Sequence, residues 1–114
     1  MDSILTSTKK LLGIEADYTH FDTDVIIHIN TTLMTLTQIG VGPSSGFAIT
    51  GAYETWSDFL PEADLVKLQA VKTYIYLKVK LVFDPPLSSS VMESMSRKAD
   101  ELEWRLNVAA ETNV

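Results

Sequence analysis

A chain of 114 residues, 46% of them hydrophobic and 21% charged, has the balance of a single globular domain able to hide roughly two-thirds of the surface its unfolded form exposes. The absence of cysteine excludes disulfides, thiolate zinc sites and a thiol nucleophile, and suits a reducing cytoplasm. A net charge of −6 argues against general nucleic-acid binding, which needs a surplus of Lys and Arg to displace counterions from phosphates.

The first predicted element is a short amphipathic helix over about residues 3–12. Ser3 or Asp2 can cap its start, Lys9 and Lys10 complement the dipole in its last turn, and Gly13 stands just past its end. Ile14 is placed to fold back over that end, and Glu15 to His20 reads as an acidic loop. A second helix is expected over about 23–39, capped by Asp22 or Thr23 and favoured at its positive end by Asp24. Val25, Ile26, Ile29, Leu33, Leu36 and Ile39 recur at steps of three and four until Gly40 ends the run. Its threonines are poor helix formers, so packing must hold this helix.

Residues 41–55 read VGPSSGFAITGAYET, which is loop composition. A brief strand through Phe47 and Ile49 fits their alternation with Ala48 and Thr50. A loop of this length in a small domain is usually functional, and here it is expected to reach a neighbour or a partner. Trp56 to Leu60 reads as one helical turn carrying two large rings.

Pro61 suits the first position of a third long helix, over about 61–83, which Asp84-Pro85-Pro86 stops. Leu65, Leu68, Val71, Ile75, Val79 and Val82 form one stripe, and Ala70, Tyr74, Leu77 and Leu81 form another on a different side. Lys67 and Lys78 lie between the two stripes, able to snorkel toward acids. The last helix is expected over about 89–110, with Ser88, Ser89 or Ser90 as cap and Glu93 completing a capping box with Ser90. Val91, Met95, Ala99, Leu102, Leu106 and Ala109 form its main stripe, Trp104 and Val108 point the other way, and the tail from Glu111 should fray. The expected fold is all-α: one domain over residues 1–114, a bundle of about four helices with a long loop between the second and third.

Little in this inventory supports catalysis, and no catalytic, cofactor-binding or metal-ligating residues are assigned. His28 and Asp24, four residues apart, supply two ligands where a metal site needs more. Asp22 and Asp24 resemble half of a calcium loop, but the glycine and bidentate glutamate that should follow are missing, so helix capping is the better account. Gly40-Val41-Gly42 lacks the strand and third glycine of a phosphate-cradling turn. The stretch from Val25 to Tyr53 is free of Lys, Arg, Asp and Glu but too rich in His, Asn, Thr, Gly and Pro to span a bilayer. Met1-Asp2-Ser3 does not open a signal peptide, so the protein is expected to be soluble and made in the cytosol, with no membrane partner.

The apolar surplus points to self-assembly. Trp and Tyr anchor interfaces, and the ring-bearing residues exceed what one small core readily hides. The candidate subunit or partner contacts are Phe47, Ile49, Trp56, Phe59, Tyr74, Leu77, Leu81, Trp104 and Val108. Residues 1–64 carry nine acids against Lys9 and Lys10, whereas residues 65–114 carry seven bases against six acids. That asymmetry suits head-to-tail contact between copies.

In order and spacing, several segments resemble the head-tail connector, or adaptor, family of long-tailed bacteriophages, also labelled putative DNA-packaging proteins. They are Lys10 to Ile14, Phe21-Asp22-Thr23-Asp24, Gly40-Val41-Gly42-Pro43, Trp56 to Leu60, Val71 to Val79, Phe83-Asp84-Pro85-Pro86 and Leu102 to Leu106. The resemblance covers nearly the whole chain. It implies a structural virion protein, made in the host bacterial cytoplasm, whose copies form a dodecameric ring at the neck between the portal protein and the tail-completion protein. DNA would pass through that ring without specific binding. Glu15, Asp17, Asp22 and Asp24 are the candidate acidic channel or contact surface. The alternative is a small DNA-packaging or terminase-like nucleic-acid-binding module.

Overall fold

The computed structural model describes residues 3–112. Five helices follow one another: α1 (Ile4–Leu12), α2 (Asp22–Gln38), α3 (Trp56–Phe59), α4 (Leu65–Phe83) and α5 (Ser89–Thr112). The fold is all-α, as expected from sequence, with the Trp56 turn realised as α3.

Capping chemistry fixes most of the boundaries. Ser3 Oγ accepts from the Thr6 amide at 2.9 Å. At the other end of α1 the left-handed Gly13 (φ 82°) lets its amide reach Lys10 O (3.1 Å) and the Ile14 amide reach Lys9 O (2.8 Å), a full Schellman stop. Gly40 and Val41 close α2 the same way, through Thr37 O (3.1 Å) and Leu36 O (2.8 Å). The α2 threonines are accommodated because Thr31, Thr32, Thr35 and Thr37 each donate their hydroxyl to the carbonyl four residues back.

Two starts and one capping box differ from expectation. α2 begins at Asp22 with Phe21 in the cap position and no side-chain cap, because the Asp22 carboxylate faces Lys9 instead, 2.8 Å away. α4 begins at Leu65 rather than Pro61: Asp64 Oδ1 accepts from the Lys67 amide at 2.8 Å, and residues 60–63 are spent turning out of α3. α5 is entered through Ser88, whose Oγ accepts from the Val91 amide at 3.4 Å. Ser90 makes no capping box, because Glu93 pairs with Arg97 at 2.8 Å. α5 also stays helical through Thr112, so the expected fraying does not reach Glu111 and Thr112. Asn113 and Val114 lie outside the described residues.

α4 is the centre of the packing. It lies against α5 on one side and α2 on another, with α1 crossing both α2 and α4. Val71, Ile75 and Val79 of its first stripe are fully buried, as are Val25, Ile29, Leu33 and Leu36 of α2. Burying each such side chain contributes about 1.5–3 kcal/mol.

The 41–55 segment forms no strand of its own. One isolated antiparallel bridge joins Ser3 to Thr55, and the Ile4 amide donates to Glu54 O at 2.9 Å. The ladder that Phe47 to Thr50 would need is replaced by one side chain: Asn30 Oδ1 accepts from the Ile49 amide (2.8 Å) and Asn30 Nδ2 donates to the Ile49 carbonyl (3.0 Å).

Candidate assembly surface

The side chains expected at contacts between copies divide sharply. Tyr74, Phe59, Ile49, Trp56 and Leu77 are buried within the chain, while Phe47 and Leu81 are half-buried. The second stripe of α4 is therefore not an outward surface in this fold. α5 covers it, and Tyr74 donates its hydroxyl to the Glu103 carboxylate there. Burial first, then the hydrogen bond to Glu103 and that carboxylate's charge, push the Tyr74 phenol well above its ordinary value. Trp56 is anchored by its indole N–H to Ser7 Oγ (3.1 Å), with the Lys72 ammonium 5.4 Å from its ring centre. Phe59 fills the concavity beneath Gly42: a Cβ at that glycine, whose φ is 91°, would come within 2.3 Å of the ring.

Trp104 and Val108 remain on the solvent side of α5, 64% and 39% exposed. They are four residues apart and so lie one above the other on the same helix face. Leu65, Val66 and Leu87 are further exposed apolar side chains of the α4–α5 half, as are Ile27 and Met34 on the outer face of α2. Residue periodicity identified the Trp104 side. It gave no warning of Leu87, which stands outside any repeat.

The loop expected to reach out lies mostly on its own chain. Val41 and Ile49 are buried, and Phe47 packs against Phe59 with ring centres 5.2 Å apart. Its projecting side chain is Tyr53, 87% exposed. Glu54 closes the turn beneath it, accepting from the Thr50 amide (2.9 Å) and hydroxyl (2.7 Å). Burial would raise the Glu54 carboxyl, but the Thr50 hydroxyl together with the backbone amides of Glu54, Thr50 and Gly51 outweighs it and holds the pKa below the usual range.

Of the four candidate acids, Glu15, Asp17 and Asp24 are exposed. Asp22 is not a free surface charge, because the buried ammonium of Lys9 neutralises it while also donating to the carbonyls of Ala16 (3.1 Å) and Tyr18 (2.8 Å). The acidic loop is thus clamped onto α1 by a lysine read from sequence only as a dipole partner. His20 packs edge-on against Phe21 (4.7 Å between centres), Phe21 against Phe83 (5.4 Å), and His28 lies 6.4 Å from Phe83. Among the described residues no three of His, Asp and Glu gather as metal ligands, and no described helix is long and apolar enough to cross a membrane.

The hollows of the surface are open and shallow. One, of about 500 Å³, lies between α2 and the loop at Asn30, Met34 and Phe47. Another, of about 320 Å³, lies between α4 and α5 at Val66, Leu102 and Leu106.

Neither the curated proteins nor the solved structures yielded a match. The model of one family, described as phage connector protein, matches residues 4–113. An all-helical chain aligned with that model over almost its entire length belongs to the phage connector protein family, whose place is in the virion.

Proposed function

We propose that this protein is a structural subunit of the ring that joins the phage head to its tail, docked between the portal and the tail-completion protein and catalysing nothing. The observation that carries the reading is the family match across residues 4–113. Ring closure by a repeated heterologous contact needs two different patches on one subunit. Exposed apolar side chains on α2, on α5 and around the α4–α5 hairpin offer more than one. Trp104 and Val108 are the α5 contribution to a subunit or partner contact, and Tyr53 is that of the loop.

DNA passes such a ring without being held. Glu15, Asp17 and Asp24 are exposed. α4, which carries four lysines and no acid, has Lys72 held over the buried Trp56 ring. A nucleic-acid-binding module would instead present its bases free to phosphates.

Native mass spectrometry of the chain with and without its cognate portal tests the reading. Rings of about twelve copies, formed alone or on the portal, are the expected result, and a monomer under both conditions overturns it. Duplex DNA titrated at low and at moderate salt should show no binding that falls steeply with salt. A steep fall would favour the DNA-packaging module.

A further inference from the structure

The hairpin of α4 and α5 ends in an apolar tip and carries an apolar hollow at its base. At the tip, Leu87 stands just before the cap residue Ser88. A residue in that position commonly folds down onto the fourth residue of the helix, here Met92. Leu87 instead shows no burial at all, and Val91 and Met92 are 47% and 38% exposed. A staple that could be closed within the chain has been left open. Asp84 and Glu93 flank this tip with carboxylates that are 62% and 70% exposed. Their ion pairs with Lys80 and Arg97 are surface pairs of small worth, so a partner can still feel both charges.

At the other end of the hairpin the first turns of α4 meet the last turns of α5. The helices run antiparallel: Tyr74 meets Glu103, while Ala70 shares the groove with Leu106. The groove there has a floor of Leu102 and Leu106 and a wall of Val66, itself 78% exposed, with Lys67 and Arg105 beside it, Arg105 in an exposed surface pair with Glu101 at 3.2 Å. Asp64 also lines it, but its carboxylate is committed to the Lys67 amide. Tip and hollow are separated by the length of α4, about 28 Å for its nineteen residues.

We propose that the tip of one copy, centred on Leu87, seats in the Val66/Leu102/Leu106 hollow of the next, with the acids at the tip facing Lys67 and Arg105. The inference rests on the connector-ring reading and names the contact that closes the ring. Two features argue for a second copy as the occupant. Residues 84–93 of the tip carry two acids and no base, Lys67 and Arg105 outnumber Asp64 in the lining of the hollow, and the separation of tip and hollow on one hairpin makes the contact head-to-tail rather than self-complementary, as a closed ring requires.

The test uses two variants, Leu87→Asp at the tip and Val66→Asp/Arg105→Glu at the hollow. All three positions are exposed, so helicity and melting temperature should stay close to wild type. By native mass spectrometry, with portal present where the wild type needs it, each variant alone should lose the ring population by about tenfold or more. Mixed in equal amounts, the two should form a one-to-one pair and stop, because one working tip and one working hollow remain between them. A double variant Leu87→Cys/Arg105→Cys, in a chain free of other cysteines, should give a ladder of covalent oligomers with a short bis-maleimide, whereas either single variant gives none.

Variants that assemble like the wild type would overturn the tip-to-hollow contact while leaving the ring standing. Rings that persist in Leu87→Asp but no longer bind portal would assign the tip to the portal and overturn it equally. A wild type that stays monomeric with portal present would remove the ring reading, and this contact with it.

Discussion

Lys9 shows how much one side chain can organise. Its ammonium is buried, 3% of the side chain being exposed, and it donates to two loop carbonyls while forming an ion pair with the Asp22 carboxylate. Lys9→Met would keep the stem and strand all three partners. Breaking a buried pair in this way costs several kcal/mol, and with Asp22 partly solvated the expected loss is about 3 kcal/mol, measurable by urea denaturation. Tyr74 offers a second test. Its phenol is raised, so near neutral pH both the folded and the unfolded chain hold the proton. As pH climbs past the ordinary value of 10.0 the unfolded chain releases it first, and stability should drain away. Tyr74→Phe should flatten that alkaline limb while costing about 1 kcal/mol at neutral pH, both read from melts across pH.

At the scale of elements, several helix ends set by a single local cap or stop were legible in the sequence. Ser3, Gly13 and Gly40 bounded their helices as expected, because a cap or a Schellman stop is a local hydrogen-bond problem. Pro61 misled, since a proline suited to open a helix equally suits a turn, and the nearer carboxylate of Asp64 made the better cap. The 41–55 loop was legible as a loop but not as a packed one. Its anchor, Asn30, comes from another element 19 residues away, and no spacing rule links an amide on a helix to a backbone position in a distant loop. Asn30→Ala removes both bonds and should cost about 1–3 kcal/mol. It should also open the segment around Phe47 and Ile49 to limited proteolysis, with the rest of the helical signal retained.

At the scale of the whole molecule, periodicity located two apolar sides on α4 without telling whether each would be covered from within or from outside. α5 supplies the answer for Tyr74 and Leu77, since a hairpin partner of 24 residues lies over that side. The same helix leaves Trp104 outside, for the geometric reason that a residue opposite Leu102 and Leu106 cannot turn inward as well. Exposure was accordingly legible at Trp104 and Val108 and illegible at Leu87, whose exposure follows from an N-terminal staple that does not close.

The two tryptophans sit in opposite surroundings, Trp56 at 5% exposure beneath a lysine and Trp104 at 64% in water. Ultraviolet emission therefore divides into two separable signals. Acrylamide should extinguish the long-wavelength, Trp104 portion first and leave the blue-shifted Trp56 portion until the core opens, and Trp104→Phe should remove the readily quenched fraction. One spectrum of the unlabelled protein then distinguishes an event on its outside from the loss of its interior.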